Sequence, residues 1–264
     1  GAEVLRIVPR NNDDVNEEWI SDKSRFACDG LRRQRLDQPY IRQDGKLQAA
    51  SWDEVFAAIA EKVKATSGNK IAAIAGDQAD CESMYALKKL METLDSTNID
   101  CRQDGAAIGE GSRAGYLFNS TIAGIEEADA ILIVGANPRL ESPVLNARIR
   151  KRFLGGNVSI GVIGEETDLT YRYDYLGAGP NTLADIASGS NSFAQVLKDA
   201  TNPMIIIGSG VLTRDDGAAV LGTARKIAEA TGMISGGWNG FNVLHTAASR
   251  VGGLDLAFVP GESG

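Results

Sequence analysis

Four short apolar runs recur along the chain, each closed by a glycine: residues 71–75 before Gly76, Ala130–Val134 before Gly135, 158–163 before Gly164, and 204–207 before Gly208. Runs this short and this rich in β-branched residues are read as strands buried on both faces, as a parallel sheet requires. Helical patterns lie between them. Ser51-Trp52-Asp53-Glu54 is a capping box, and Val55, Ile59 and Val63, with Trp52 and Phe56 beside them, give a stripe that predicts a helix over 52–66. Asp80 opens a helix carrying Met84, Leu87, Met91 and Leu94, a spacing read as core filling. Residues 98–102 read as a short strand and 190–200 as a helix. Thr213 and Asp216 look like a second capping pair before Leu221, Ala224, Ile227 and Ala228, with Gly232 as C-cap. Residues 244–250 read as a short helix. This alternation sets the fold class as parallel α/β.

The most informative stretch is 128–153, ADAILIVGANPRLESPVLNARIRKRF. A buried strand ends at Gly135-Ala136-Asn137-Pro138, and Ser142-Pro143 restarts the chain as a helix with Leu145, Ile149 and Phe153 on one face. Ligands of open α/β sheets lie at the carboxyl ends of such strands. G-A-N-P-R-L is not the dinucleotide fingerprint G-x-G-x-x-G, so a plain crossover competes with a site or its relic. Gly135–Asn137 and the turn at 208–210 are each open to reading as a nucleotide loop. Residues 105–119, glycine-rich and without a clear period, are the best candidate for an ordered functional loop.

Bulk chemistry excludes several classes. A net charge of −8 argues against nucleic acid as a partner. Cys28, Cys81 and Cys101 are scattered and cannot build a four-thiolate centre, and the single His245 cannot support a multi-histidine site and reads as structural. No run approaches the roughly 18–20 apolar residues of a membrane span. With Gly at position 1 and an abrupt end after an apolar run, the chain reads as a piece of a longer polypeptide. Between Lys23 and Lys46 seven basic residues face three acidic ones. They either pair with Asp13, Asp14, Glu17, Glu18 and Asp22 or present a docking surface for an anionic partner. Trp19, Phe26, Leu31 and Leu36 are expected to hold residues 11–46 against the α/β body.

The runs NEEWISDKSRFACDGLRRQRLDQPYIR, GKLQAASWDEVFAAIAEKV and GWNGFNVLHTAASRVGGLDLAFVPG resemble the large peripheral-arm, G-type subunits of respiratory complex I, the proton-pumping NADH:quinone oxidoreductase. Behind that lies a broader resemblance to molybdopterin oxidoreductases of the formate dehydrogenase/DMSO reductase type. Residues 36–42 and Ser51-Trp52-Asp53-Glu54 look like two of that family's blocks, and Gly135-Ala136-Asn137-Pro138 looks like its G-S-N-P phosphate loop. Departures are equally plain. Where active members carry a D-P-R-x-T turn, this chain reads Gly164-Glu165-Glu166-Thr167-Asp168, and a P-G-T-D turn is replaced by Gly177-Ala178-Gly179-Pro180. The resemblance therefore implies parallel-sheet lobes of the molybdopterin oxidoreductase type, as an incomplete fragment, kept as scaffold with the cofactor lost. Gly135, Ala136, Asn137 and Pro138 would be a vestigial loop, with no catalytic residue, no metal and no bound cofactor in this stretch. Iron–sulfur clusters are expected in the part of the subunit before residue 1, other peripheral-arm subunits as partners, and no direct membrane insertion. The location implied is the cytoplasmic face of a bacterial inner membrane or the mitochondrial matrix side. The alternative is a working molybdopterin-dependent oxidoreductase domain. The lobes are expected as an extended segment over 1–50, a first lobe over 51–112 with 190–264, and a second over 113–189.

Overall fold

The computed structural model describes residues 3–109 and 111–261. The opening segment carries helix α1 (Asp22–Phe26), a 3-10 turn (Ala27–Arg32) and an antiparallel hairpin of β1 (Tyr40–Gln43) and β2 (Lys46–Ala49). Helix α2 (Trp52–Lys64) follows with the capping box formed as read: Ser51 accepts from the Glu54 N–H, and Glu54 accepts from the Ser51 N–H at 2.7 Å. No residue of α2 is buried, and Trp52, Phe56 and Ile59 of its apolar stripe are exposed.

Two short parallel strands, β3 (Ala73–Ile74) and β4 (Ile99–Asp100), flank α3 (Cys81–Thr93), which Asp80 caps and which buries Met84 and Met91. Residues 71–75 are thus not a strand buried on both faces; only two residues pair, and Ile74 is 67% exposed.

The body is a five-stranded parallel sheet. Its strands are β5 (Ala130–Val134), β6 (Ser159–Ile163), β7 (Asp174–Gly177), β8 (Pro203–Gly208) and β11 (Phe241–Leu244), ordered β11-β8-β5-β6-β7. Between β8 and β11 runs a small hairpin of β9 (Ile234–Ser235) and β10 (Trp238–Asn239). Successive residues of β5 serve opposite cores. Ala130, Leu132 and Val134 meet one cluster with Leu183, Phe193, Leu197 and Ala224, while Ile131 and Ile133 meet another with Leu145 and Ile149. The first cluster is roofed by α6 (Pro180–Ser188), α7 (Phe193–Asp199) and α9 (Gly217–Ala230), the second by α5 (Pro143–Leu154). Two single-turn helices, α4 (Pro138–Glu141) and α8 (Ser209–Leu212), follow β5 and β8, and α10 (Arg250–Asp255) closes the described chain.

Several expectations are corrected. Residues 204–207 do not rejoin the 71–75 strand; they pair with β5 along its whole length, from Ala130↔Pro203 to Val134↔Ile207. Residues 244–250 are not a helix: Leu244 ends the buried strand β11, and the helix begins only at Arg250. Thr213 and Asp216 form no capping box, because Thr213 donates to the Gly210 carbonyl and Asp216 pairs with Arg214 at 2.7 Å. Helix α6 was unexpected, although Pro180 at its first position is a helix-start signal. The opening segment is not held by its apolar side chains: Trp19, Phe26, Leu31 and Leu36 are 57%, 64%, 52% and 86% exposed.

The candidate functional site at the sheet's switch point

Numbering the sheet's strands in chain order gives 5-4-1-2-3, so connections leave β5 and β8 in opposite directions. Their carboxyl ends form the topological switch point, where open α/β sheets bind ligands. The two glycine turns singled out in the sequence meet here. A Cβ on Gly208 would overlap the Gly135 carbonyl, so the loops pack backbone against backbone. Gly135 itself sits at φ +56°, and a Cβ there would overlap the side chain of Val211 from α8. Between these loops and the ends of β6 and α6 a cavity of about 60 Å³ remains, lined by Val134, Gly135, Ile163, Leu183, Val211 and Arg214 among others.

The polar groups of the loop are already engaged. The Gly135 N–H donates to the Ile163 carbonyl at 2.8 Å. The Asn137 N–H donates to the Glu141 carboxylate at 2.5 Å, while the Asn137 side chain accepts from the Leu140 N–H at 3.3 Å. Arg139, the nearest cation in sequence, donates to both the side chain (2.7 Å) and the carbonyl (2.8 Å) of Asp168. The Thr170 backbone N–H, and then Arg139, hold the Asp168 carboxyl below its ordinary range. Of the acidic turn, only Asp168 is linked to the loop in this way. Glu165 and Glu166 are exposed, and Glu166 borders a separate hollow with Tyr173 and Tyr175. The turn therefore acts by occupying an arginine more than by repulsion across the crevice.

Two contributors were missed in the sequence. Glu141 returns a carboxylate to the N-cap residue from four positions on, one further than a capping box, and the spacing Asn137–Glu141 was the available signal. Val211 had none, because its contact with Gly135 spans 76 residues.

The loop at 105–119 has a structural occupation. Its Leu117 carbonyl accepts from the Val243 N–H at 3.0 Å, and Phe118 bridges Asn242, so it covers the free edge of β11. Tyr116 and Arg113 both bind Asp255, at 2.7 and 2.8 Å. The His245 ring meets the Tyr116 carbonyl through Nε2 at 2.6 Å, and burial pushes its pKa down. Among the described residues, no group of three or more His, Cys, Asp or Glu could hold a metal ion, and no helix is long and apolar enough to cross a membrane.

Comparison with known proteins agrees with this architecture. Residues 35–264 match the family model described as molybdopterin oxidoreductase, and residues 1–29 match one described as NADH-ubiquinone oxidoreductase NDSU1/NuoG-like, 4Fe-4S domain. The chain is similar to the G-type subunit of NADH-quinone oxidoreductase from Rickettsia bellii, 46% identical over 98% of this chain and 38% of that protein. It is also 46% identical to the mitochondrial NADH dehydrogenase [ubiquinone] iron-sulfur protein 1 of Solanum tuberosum, over 98% of this chain and 35% of that protein. The chain thus spans little more than a third of these relatives. Among solved structures, the formyltransferase/hydrolase complex of Methylorubrum extorquens, determined with methylofuran, aligns with a TM-score of 0.51 at 20% identity. That alignment covers 84% of this chain and 66% of the other, and the likeness is one of fold. The donor set does not suit the phosphates of a pterin dinucleotide: Arg139 is held by Asp168 and the Asn137 N–H by Glu141.

Proposed function

The chain belongs to the molybdopterin oxidoreductase family, and from that premise we propose that it is a scaffold domain of a G-type subunit of NADH:quinone oxidoreductase. It keeps the family fold without the family's cofactor. The subunit as a whole passes electrons from NADH toward quinone through iron–sulfur clusters carried outside the molybdopterin-like body. The 4Fe-4S match over residues 1–29 supports that division of labour. Gly135, Ala136, Asn137 and Pro138 are the relic of a phosphate loop, with no catalytic residue and no metal ligand beside them. The other subunits of the peripheral arm are its partners, at the cytoplasmic face of a bacterial inner membrane or the matrix side of a mitochondrial one.

One observation carries this reading: at the switch point, where a working relative needs free N–H groups and a free cation for two phosphates, Val211 covers Gly135 and Asp168 occupies Arg139. To take a phosphate, Arg139 must release Asp168, so one ionic contact is exchanged for another and the gain from the ligand is reduced by the contact given up.

The test is reconstitution of the intact subunit with pterin dinucleotide and molybdate, followed by dialysis and metal analysis. The expected result is iron without stoichiometric molybdenum or tungsten. One molybdenum or tungsten per chain would replace the scaffold reading with that of a working molybdopterin oxidoreductase domain.

A further inference from the structure

The opening segment poses a problem of attachment. Its large apolar side chains are mostly exposed, yet residues 12–17 are docked on the body by another means. Arg148 of α5 is buried, with only 6% of its side chain accessible. Its Nη1 donates to Glu126 at 2.6 Å, and its Nη2 to the backbone carbonyl of Asp13 at 2.7 Å. One turn further along α5, the Lys151 ammonium donates to Glu17 at 2.5 Å and to Glu126 at 3.0 Å. Glu17 stands 3.8 Å from Arg148. The four charges balance, two of each sign, and they tie residues 13 and 17 to residues 126, 148 and 151.

The segment side of this cluster is shaped to receive it. Residues 12–17 close on themselves through the Asn12 N–H to the Glu17 carbonyl (2.9 Å) and the Glu17 N–H to the Asn12 carbonyl (2.7 Å). Glu17 adopts φ +51°, a conformation L-residues seldom take, at the position whose carboxylate meets Lys151. On the body side, burial raises the Glu126 carboxyl, but hydrogen bonds from Lys151 and Arg148 outweigh it and hold the group below its ordinary range. Lys151 is raised in turn by Glu17 first and Glu126 second.

The position of this cluster gives it meaning. Asp13 and Glu17 lie within the residues matching the 4Fe-4S domain, whereas Glu126, Arg148 and Lys151 lie within those matching the molybdopterin oxidoreductase body. We propose that Glu17, Glu126, Arg148 and Lys151 are an interdomain clamp that sets the orientation of the iron–sulfur domain on the molybdopterin-like scaffold. This rests on the scaffold reading only for the identity of the domain that is held.

A polar clamp suits orientation better than apolar packing does. Hydrophobic contact is non-directional. A guanidinium fork fixed on a carboxylate and a backbone carbonyl accepts one geometry. Ion pairs taken from water add little net stability, but breaking one partner leaves a buried charge uncompensated and is strongly unfavourable. The seam therefore has one favoured register and steep penalties around it. Arg148, Lys151, Glu17 and Glu126 are positioning residues.

The experiment uses the intact subunit and follows hydrogen exchange of the amides at 12–19, with iron content and body Tm as controls. The variants are Glu17→Gln and Lys151→Met, each removing one half-exposed or part-buried partner at the seam, with Glu18→Gln, exposed and outside the cluster, as the control. Glu17→Gln and Lys151→Met are expected to speed exchange at 12–19 at least tenfold, with iron content and body Tm close to those of wild type because Arg148 still pairs with Glu126, while Glu18→Gln stays within about twofold of wild type. Exchange within twofold of wild type in both Glu17→Gln and Lys151→Met would overturn the clamp. So would equal acceleration in Glu18→Gln, since loosening that does not depend on the cluster is general disruption. A subunit that binds molybdenum but shows this exchange pattern would defeat the scaffold reading and leave the clamp standing.

Discussion

Gly135→Ala tests whether the switch point is filled, because the structure assigns it two separable penalties. The first is conformational: φ is +56° at Gly135, and an L-residue there costs about 1–2 kcal/mol. The second is steric. The new methyl would overlap Val211, and overpacking of this kind costs about 1–3 kcal/mol. Together they give about 3.5 kcal/mol. For a chain of this size at about 2–4 °C per kcal/mol, Tm should fall by about 7–14 °C. Val211→Ala alone removes two half-buried methyl groups, for about 1 kcal/mol. If the sites were independent the double variant would lose about 4.5 kcal/mol. Removing the obstacle should instead leave only the conformational part and the lost methyls, about 2.5 kcal/mol. The coupling of about 2 kcal/mol is readable in a double-mutant cycle by urea denaturation. A Gly135→Ala loss below about 1 kcal/mol, or strict additivity with Val211→Ala, would show that Val211 does not close the loop, and the argument against a phosphate ligand would lose its main support.

His245 is the only histidine, so its proton resonance can be followed alone by NMR; its midpoint should lie below 6.5, and a midpoint above that value would contradict its burial. Because its folded pKa is depressed, its contribution to stability is complete above pH 6.5 and is lost as pH falls through 6.5 toward the folded value, a decline that should vanish in His245→Phe. Leu132→Ala, in the central strand with no exposed surface, should cost about 2–5 kcal/mol by denaturant titration. Trp52→Lys and Phe56→Lys, on the outward stripe of α2, should each change stability by less than about 0.5 kcal/mol while lowering binding of a hydrophobic dye. A loss above about 2 kcal/mol at either position would mean that α2 packs inward. Asp168→Asn should leave the thermal melt close to that of wild type, since its pair with Arg139 lies largely in water, and a marked fall in Tm would contradict that exposure.

Local signals were legible in the sequence. The apolar runs at 130–134, 159–163 and 203–208 could not be stable in water unless covered on both sides, and the α/β class follows from their alternation with capped helices. Ser51 with Glu54, Asp80 and Pro143 each mark a helix start through bonds that close within four residues, so no distant partner is needed to predict them. The glycine turns after β5 and β8 could likewise be picked out as loop ends. Burial demand does not, however, specify which surface answers it. Residues 71–75 carry the same pattern as β5 but pair over only two residues. Residues 204–207, expected beside them, lie against β5 instead, because strand order depends on how the crossovers pack across the whole sheet. The same limit applies to Trp19, Phe26, Leu31 and Leu36, whose apolar character predicted burial, while the segment meets the body through Arg148 and Lys151, charged residues whose partner Glu17 lies far off in the chain. At the candidate site, the sequence supplied the loop, the acidic turn and the missing fingerprint. That Val211 would lie on Gly135, and Asp168 on Arg139, was settled only when residues 76 and 29 positions apart were brought into contact, a matter of long-range packing that no local pattern encodes.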